Sequence, residues 1–592
     1  MNFIKTFLAA ILAFVVGSFL VFFLWIFILL GIAGSMEKTV AVHAESILKI
    51  DFSDVLTDAP SSDPFAGIDF ATLRSTRQLP LMKALRALEA AKDDSRIKGI
   101  YLRMNGNGGV MGAALLEELR EAVVDFKQSG KFVVAYDETY SQGKYYLASA
   151  ADKIYMQPEG AMDWSGLAFN LMFYKGLLDK LDIKAEVFRP TACKYKSAVE
   201  PYILPKMSDA NREQMQALVN SMWNTIAGSV AEARGIDLKE LNRITDKLEV
   251  SLPEDALEHG FVDSLIYEDQ MKDIFAELGV ASDSDGEYNF ITLGEYASQV
   301  GADLKNISAD QVAVVYADGA IVDGEGFGKE IYGNTLAATL AGVRDDEKVK
   351  AVVLRVNSPG GSALASDVIW REMELLKAEK PVVVSMGSYA ASGGYYISCP
   401  ADVIVADKLT LTGSIGVFGM ILDTREALKN KLGITIDGVQ SNASSNFLAT
   451  QPLTPVQRSM IMRGVDKVYT TFTNDVAEGR NLPIEKVLDI AGGRVWSGAD
   501  ALGIGLIDTY GGLKTAIALA VDKADLGDNY RVTEVTETPT GFAAFIASLN
   551  MSVREAFTRS ELGLMMKDYN TVREAFRQQG VLMYSPYKVE IR

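Results

Sequence analysis

The chain has 592 residues, too many for a single hydrophobic core and enough for two or three domains. Charged residues make up 23% of it and hydrophobic residues 48%, with no low-complexity tract, so the bulk of the chain is expected to fold. The 58 basic and 77 acidic residues give a net charge of −19, which would repel a phosphate backbone, so nucleic acid is excluded as an expected partner.

The first predicted element is an uncleaved membrane anchor. Residues 7–33 contain no charged residue, and a membrane-spanning helix needs roughly 20 apolar residues. A removable signal peptide would have a shorter apolar stretch. Lys5 precedes the segment, whereas Glu37 and Lys38 follow it, a bias that predicts a cytoplasmic amino terminus. We therefore expect a cytoplasmic stub and a transmembrane helix over residues 1–39, with the remaining mass outside.

The rest of the chain is predicted to consist of two related units. Residues 93–105 read DDSRIKGIYLRMN and match residues 345–357, which read DDEKVKAVVLRVN. The similarity continues further along both copies, for example in YYL at 145–147 and YYI at 395–397. Because self-similarity of this kind indicates duplication, we place unit one at residues 40–301 and unit two at residues 310–527. A tail over residues 528–592 follows.

Both units are predicted to have an α/β fold. Short β-branched runs such as residues 382–384 alternate with longer amphipathic stretches such as residues 367–377. This alternation is typical of parallel strands that are joined by helices. The expected architecture is therefore two tandem α/β units after an amino-terminal transmembrane helix.

Unit two carries a glycine-rich turn at residues 357–362, which read NSPGGS. The turn follows a predicted strand and precedes a predicted helix. Adjacent glycines in this position let backbone N–H groups face a ligand oxygen, which makes an oxyanion site without side chains. An ordinary strand-to-helix turn would show the same glycines, so the motif alone leaves both interpretations open.

A second motif of unit two surrounds Ser392. Residues 386–396 read MGSYAASGGYY, again after an apolar strand, with small residues on both sides of the serine at a predicted helix start. A hydroxyl there is accessible, lies near the positive end of the helix dipole and has no bulky neighbour to block a carbonyl. The alternative is a helix-capping serine whose glycines permit close packing. Two such motifs in one α/β unit are more specific for catalysis than either alone.

Histidine and cysteine are both scarce. The two histidines are His43, just beyond the predicted anchor, and His259, at a predicted helix end, so hydrolysis is expected to be arranged without histidine. Cys193 and Cys399 are the two cysteines, which excludes a disulfide framework and allows at most one bridge. Both are predicted to be buried apolar residues.

Together with TGSIG at residues 412–416, these motifs resemble the signal peptide peptidase A family, also called protease IV. Both units, the anchor and nearly the whole chain fit the family's long form. The resemblance implies the Clp/crotonase fold in each unit and a serine protease with a Ser-Lys dyad, a site that suits a chain poor in histidine. Ser392 is then the expected nucleophile.

In the long form of this family, the general base comes from the amino-terminal unit in a YKSAVEP motif, and residues 195–201 have this sequence. The resemblance therefore assigns the base to Lys196, with Lys194 as the nearby competitor. An unperturbed lysine has a pKa of about 10.4, so a lysine base needs burial or charged neighbours that lower its pKa. We expect Lys196 to be buried beside Ser392.

The resemblance also assigns the supporting groups. Ser414 would hydrogen-bond to the lysine and orient it, and the backbone N–H groups of Gly361 and Gly393 would bind the oxyanion.

Alignment of the two units places Gln142 opposite the nucleophile and Phe447 opposite the lysine base. Each unit therefore holds one half of the dyad, and one complete site per chain is expected.

The resemblance implies an endopeptidase that degrades signal peptides left in the membrane after secretion. Its expected partners are signal peptides and other apolar peptides, the membrane, and further copies of itself in a small ring, for which a tetramer is one expected size. The expected location is the bacterial inner membrane, spanned once, with the catalytic part on the periplasmic side. No metal, nucleotide or other cofactor is implied.

Two other functions remain open from the sequence. A crotonase-type acyl-CoA hydratase or isomerase also uses paired oxyanion glycines, but its acid–base chemistry usually relies on carboxylates. A membrane scaffold built from degenerate repeats is the non-enzymatic alternative, because unit one has no serine at the nucleophile position. The presence of both Ser392 and Lys196 argues against a scaffold.

Overall fold

The computed structural model describes residues 14, 17–18, 41–61, 68–69, 74–75, 77–300, 310–445, 450–536 and 581–584. The anchor predicted over residues 7–33 lies almost entirely outside these residues. Within the described part of the chain, no helix has the length and apolar character that a membrane crossing requires.

The described elements of unit one alternate between strands and helices. Its strands are β1 Ser46–Ile50, β2 Val55–Thr57, β3 Ile68–Asp69, β4 Arg74–Ser75, β5 Gln78–Pro80, β6 Ile97–Leu102, β7 Gly109–Val110, β8 Phe132–Tyr140, β9 Lys153–Met162, β10 Lys184–Phe188, β11 Ser264–Leu265 and β12 Phe290–Thr292. Its α-helices are α1 Leu81–Asp93, α2 Ala113–Lys127, α3 Gln142–Ala148, α4 Lys175–Lys180, α5 Glu200–Ile203, α6 Asp209–Arg234, α7 Leu238–Lys247, α8 Pro253–Glu258, α9 Met271–Glu277 and α10 Leu293–Gln299, and short 3-10 helices cover Ser197–Val199 and Glu268–Gln270.

Unit two shows the same alternation. Its strands, with those of the tail, are β13 Asp310–Asp318, β14 Ile321–Val322, β15 Ile331–Tyr332, β16 Val349–Ser358, β17 Gly360–Ser362, β18 Val382–Ala391, β19 Val403–Ala406, β20 Leu411–Gly413, β21 Phe418–Asp423, β22 Val495–Ser497, β23 Thr509–Tyr510, β24 Tyr530–Val535 and β25 Val581–Tyr584. Its α-helices are α11 Gly333–Asp345, α12 Ala363–Lys377, α13 Gly393–Ser398, α14 Arg425–Leu432, α15 Pro455–Gly479, α16 Ile484–Ile490, α17 Gly498–Ile504 and α18 Leu513–Lys523.

Each unit is built around a sheet whose central strands are parallel. In unit one the strand order is β11-β9-β8-β6-β1-β12, and all of these neighbours are parallel. In unit two the order is β22-β20-β18-β16-β13-β24, and in addition β19 pairs with β18 and β23 pairs with β19. The central strands β16 and β18 are almost wholly buried, as expected for parallel strands covered on both faces. The mixed α/β class predicted from the alternation is therefore the observed one.

The sheet of unit two extends beyond the boundary predicted at residue 527. Strand β24 pairs in parallel with β13 along most of its length. A buried central strand such as β13 needs partners on both sides for its backbone N–H and C=O groups. β16 supplies one side and β24 supplies the other.

A third sheet contains strands from both units and from the tail. Its order is β10-β21-β25-β17-β14-β15. Strand β10 of unit one pairs antiparallel with β21 of unit two, and β25 lies between β21 and β17. The segment that follows β10 therefore starts beside unit two.

A buried ion cluster also joins the units. Arg355 of β16 contacts Asp58 at 2.6 Å and Glu118 of α2 at 2.7 Å, and all three side chains are at most 3% exposed. Glu118 also accepts a hydrogen bond from the backbone nitrogen of Leu513 at the start of α18. Because a buried charge without a partner is costly, this cluster holds the two units in one relative position.

Candidate active site

Ser392 stands between β18 and α13 in a backbone conformation that non-glycine residues rarely adopt, with φ 59° and ψ −114°. Its backbone nitrogen donates to the Gly413 carbonyl oxygen at 2.8 Å, and its carbonyl oxygen accepts from the Tyr396 nitrogen at 2.9 Å. A Cβ on the neighbouring Gly393 would lie 2.7 Å from Ser366 Oγ. Hydrogen bonds and close packing thus hold a strained turn that aims the hydroxyl, as at other activated serines.

Lys196 lies in the loop that follows β10 and is held against unit two. The backbone nitrogen of Tyr195 donates to the Gly492 carbonyl oxygen at 2.9 Å. Gly493 has φ 81°, and a Cβ on it would lie 2.5 Å from Lys196 Cβ, so only glycine permits this approach. The result is that Lys196 is 1% exposed, although a lysine is rarely buried.

The amine of Lys196 contacts the hydroxyl of Ser392. Lys196 Nζ lies 2.7 Å from Ser392 Oγ, 2.8 Å from the Ser414 carbonyl oxygen and 2.9 Å from Ser414 Oγ. Ser414 has φ 52°, and its nitrogen donates to the Arg494 carbonyl oxygen at 2.7 Å. The structure therefore brings together the three side chains that the sequence predicted, with Ser392 and Ser414 on two sides of one amine.

Burial lowers the pKa of Lys196 to about 7, against a small opposing effect of the neighbouring Cys193 thiol. Desolvation disfavours the ammonium form, so a substantial fraction of the amine is neutral near pH 7. A neutral amine 2.7 Å from a hydroxyl can accept its proton. This pair can generate a nucleophilic serine oxygen without an imidazole.

The two predicted oxyanion glycines lie on neighbouring segments beside Ser392. A Cβ on Gly393 would lie 3.2 Å from the backbone nitrogen of Gly361. Gly360, which directly precedes Gly361, adopts φ 95°, and its nitrogen donates to Ser358 Oγ at 3.1 Å. Backbone N–H groups on two neighbouring segments beside a serine can act as the donors of an oxyanion hole.

The competing lysine occupies a different environment. Lys194 is exposed, and its Nζ lies 4.7 Å from the centre of the Tyr195 ring. It therefore interacts with the outer face of the loop, whereas Lys196 points into the interior.

Gln214 of unit one holds the loop that carries Lys196 in place, and the sequence did not predict this role. Gln214 of α6 is 1% exposed, and its Nε2 donates to the Tyr195 carbonyl oxygen at 3.0 Å and to Ser197 Oγ at 2.7 Å. Its side-chain oxygen accepts from the Val495 nitrogen in unit two at 3.2 Å. The feature that could have pointed to Gln214 is its position on the same face of α6 as the buried residue Leu218.

Gln142, the counterpart of Ser392 in unit one, has another role. Gln142 begins α3, and its amide makes two hydrogen bonds to Gly166, with Nε2 donating to the carbonyl oxygen at 2.9 Å and Oε1 accepting from the nitrogen at 2.7 Å. These two hydrogen bonds hold the loop of Gly166 in place, and a carboxamide offers no nucleophile. Phe447, the predicted counterpart of Lys196, lies outside the described residues.

Both cysteines are buried and free, as expected of apolar residues. Burial raises the pKa of Cys399 well above its usual value and also raises that of Cys193, so neither thiol is activated. Cys193 lies near the dyad, where its backbone carbonyl oxygen accepts from the Lys196 nitrogen at 3.1 Å.

One group of carboxyls in the described part of the chain is close enough to hold a cation, namely Glu117, Glu121 and Asp407. Burial, reinforced by the neighbouring acidic groups, raises the pKa of Glu121 to about 7 and that of Asp407 well above its usual value. None of these residues belongs to the predicted site.

Comparison with known proteins gives a consistent result. The model of the family described as peptidase family S49 matches residues 125–280 and 374–527. Protease 4 of Salmonella typhi is 37% identical over 539 residues, covering 89% of this chain and 85% of that protein. Protease 4 of Haemophilus influenzae is 36% identical, covering 84% of this chain and 82% of that protein. The chloroplastic serine protease SPPA of Arabidopsis thaliana is 32% identical, with coverage of 78% and 68%.

Proposed function

The chain belongs to peptidase family S49 and is a serine protease, and from this premise we propose that Ser392 is its nucleophile and Lys196 its general base. The observation that carries the proposal is the 2.7 Å contact between the Lys196 amine and the Ser392 hydroxyl in a buried site. The lowered pKa of Lys196, about 7, supports a base of which a substantial fraction is neutral at physiological pH.

The proposed reaction has two halves. Neutral Lys196 accepts the Ser392 proton while Oγ attacks the peptide carbonyl, and the N–H groups of Gly361 and Gly393 stabilise the negatively charged oxygen. The lysine ammonium then gives its proton to the leaving amine, and an acyl-serine remains. In the second half, Lys196 accepts a proton from water as the water oxygen attacks the acyl carbon. The bond between the acyl carbon and Oγ then breaks, the peptide fragment leaves as a carboxylic acid, and the lysine ammonium returns its proton to Ser392 Oγ. Ser414 keeps the amine directed at Ser392 throughout.

We propose apolar peptides, and in particular cleaved signal peptides, as the substrates. The apolar segment at residues 7–33 supports this proposal, because an anchored protease would meet peptides that remain in a bilayer. The corresponding location is the bacterial inner membrane, spanned once, with the catalytic part on the periplasmic side. The family resemblance also favours a ring of identical subunits, with four as one expected number.

The test is peptide hydrolysis by the full chain in detergent. We expect cleavage of a fluorogenic peptide with an apolar signal-peptide core, slower cleavage of a polar peptide of equal length, and labelling of Ser392 by a fluorophosphonate that mass spectrometry can locate. Ser392→Ala should abolish labelling, whereas Ser441→Ala, which alters an exposed serine, should not. If neither the parent chain nor Ser441→Ala were labelled, and neither peptide were cleaved, the assignment of Ser392 would be contradicted.

A further inference from the structure

Gln214 of α6 is a buried polar side chain at the junction of the two units. It is 1% exposed. Its Nε2 donates to the Tyr195 carbonyl oxygen at 3.0 Å and to Ser197 Oγ at 2.7 Å, and its Oε1 accepts from the Val495 nitrogen at 3.2 Å. The first two partners flank Lys196 in unit one, whereas Val495 begins β22 in unit two. One side chain therefore connects the loop of Lys196 to unit two.

The chemistry of these partners requires a carboxamide. The Tyr195 carbonyl oxygen can only accept a hydrogen bond, and the Val495 nitrogen can only donate one. A side chain that binds both must present a donor on one side and an acceptor on the other. Asn211 favours the same orientation, because its Nδ2 donates to Glu200 at 3.0 Å and its Oδ1 accepts from Gln214 Nε2 at 3.1 Å. The amide nitrogen of Gln214 thus faces the loop, and its oxygen faces unit two.

The contact in unit two leads to the backbone of both serines of the site. Val495 pairs with Gly413 in the antiparallel ladder between β22 and β20. The Gly413 carbonyl oxygen accepts from the Ser392 nitrogen at 2.8 Å. The carbonyl oxygen of Arg494, which precedes Val495, accepts from the Ser414 nitrogen at 2.7 Å. The strand that the amide binds is therefore part of the support of both serines.

The fit of the loop against unit two controls the distance and the hydration of the amine. Lys196 Nζ lies 2.7 Å from Ser392 Oγ, and a misplacement of about 1 Å can lower a catalytic rate by roughly 100-fold. Lys196 is 1% exposed, and burial lowers its pKa to about 7. A loop that moved away from unit two would admit water, and the pKa of the amine would rise toward the value of about 10.4 for an unperturbed lysine.

We propose that Gln214 is a positioning residue for the reaction, because its amide holds the loop of Lys196 against the strand that supports both serines. This inference rests on the proposed function, since it concerns how the proposed base meets the proposed nucleophile. Gln214 acts through Lys196 and not on the substrate. It gives unit one a second part in the site, besides the supply of the lysine.

The charges near the loop remain when Gln214 is replaced by an uncharged residue. Several charged side chains contact the loop or the helix that supports it, namely Arg189, Lys194, Glu200, Glu213 and Arg494. A neutral substitution removes none of them. A change in the pH dependence of such a variant would therefore report on the contacts and hydration of the Lys196 amine.

The experiment replaces Gln214 by methionine in the full chain. Gln214→Met is similar in size but makes no amide hydrogen bonds, so the loop should loosen. We expect kcat to fall by roughly 10–100-fold, with KM for the apolar peptide nearly unchanged. The pH midpoint of kcat/KM should rise from near 7 by about one unit or more. Gln216→Met, which alters an exposed glutamine of the same helix, should change none of these values.

Labelling by the fluorophosphonate measures the same effect without peptide binding. The rate at Ser392 should follow the pH midpoint of hydrolysis in the parent and should show the same upward shift in Gln214→Met. Glu213→Gln should give a much smaller shift, because it weakens only an ion pair whose carboxylate is exposed. Thermal unfolding shows whether each variant is folded. If Gln214→Met is not, Gln214→Asn replaces it with the same expected shift, since its amide is one methylene shorter and cannot reach both units.

The outcomes separate this inference from the proposed function. A folded Gln214 variant with an unchanged pH midpoint would overturn the inference even if kcat were lower, because Gln214 would then have only a structural role. Unchanged kcat would overturn it as well, and both results would leave the dyad standing. If the parent were not labelled at Ser392, or if Lys196→Arg retained turnover, the proposed function would be overturned whatever the effect of Gln214→Met.

Discussion

The two units place different side chains at corresponding points of similar folds. At the start of α3, Gln142 binds both backbone groups of Gly166 and follows a serine of ordinary extended conformation. At the start of α13, Ser392 adopts a left-handed conformation and faces the amine of Lys196. In this comparison, unit two has the strained turn that carries the proposed nucleophile, whereas unit one supplies the loop that carries the lysine.

The units also differ in how they use a shared arginine. Arg103 of unit one pairs with Glu138 and Glu268, both more than half exposed, and with buried Asp137. Its counterpart in unit two, Arg355, is enclosed with two buried carboxylates of unit one. The same position therefore stabilises a single unit in one copy and the interface in the other.

The largest expected effect is the difference in activity between a variant of Ser392 and a variant of Gln142, its counterpart in unit one. Ser392→Ala should lower kcat by roughly four to six orders of magnitude, as expected on removal of a nucleophile, with little change in thermal unfolding. Gln142→Ala should leave the rate per folded molecule unchanged, although loss of the contacts to Gly166 should destabilise the fold by about 1–3 kcal/mol. Peptidase kinetics and thermal unfolding of both variants test this. A folded but inactive Gln142→Ala variant would give unit one an unforeseen part in catalysis.

The next effect separates the two lysines of the loop. Lys196→Arg should lose about a thousandfold or more in kcat, because a guanidinium remains charged and cannot accept the Ser392 proton. Lys194→Arg should retain activity, since Lys194 is exposed. A Lys196→Arg variant with appreciable turnover would require another base.

The pH dependence of the parent chain sharpens the same contrast. Burial lowers the pKa of Lys196 to about 7, and the amine is active when it has lost its proton. The value of kcat/KM should therefore rise with pH through a midpoint near 7 and should fall as the pH drops below it. A profile that stays flat between pH 6 and 9 would not agree with a lysine base of this pKa.

A smaller effect, on stability, tests the two arginines. Arg355→Met should destabilise the chain by about 3–5 kcal/mol, because it leaves Asp58 and Glu118 buried without a counter-charge. Arg103→Met should cost only about 1 kcal/mol, since two partners are largely exposed and Lys144 remains 3.1 Å from Asp137. Urea denaturation of both variants measures the difference. Equal losses would mean that burial of Arg355 does not strengthen the interface.

The smallest predicted effect concerns Ser414, which is proposed to orient the amine. Ser414→Ala removes the hydroxyl that lies 2.9 Å from Lys196 Nζ but keeps the backbone oxygen at 2.8 Å. A loss of about 10–100-fold in kcat is expected, with KM nearly unchanged, since one of two orienting contacts remains. Steady-state kinetics beside Ser441→Ala, an exposed serine, provide the comparison. Unchanged kcat would show that the backbone oxygen alone positions the lysine.

Local patterns in the sequence were enough to predict much of this protein. Alternation of apolar strands and amphipathic helices gave the α/β class, and self-similarity gave the two units, because both depend on neighbouring residues. The glycines around Ser392 and the motif around Lys196 indicated the site because a strained turn and a family motif are readable over a few positions. The hydrogen bonds of Gln142 to Gly166, and those by which Gln214 holds the loop of Lys196, could not be predicted from neighbouring residues.

The tertiary structure decided what depends on residues far apart in the chain. Lys196 and Ser392 are separated by 196 positions, and the pKa of Lys196 is lowered because its folded surroundings bury the amine. The insertion of β25 between β17 and β21, and the burial of Arg355 between the units, likewise depend on contacts between distant segments. The sequence by itself determined which groups are present, whereas packing determined their protonation and their neighbours, because desolvation and strand pairing arise only when distant segments meet.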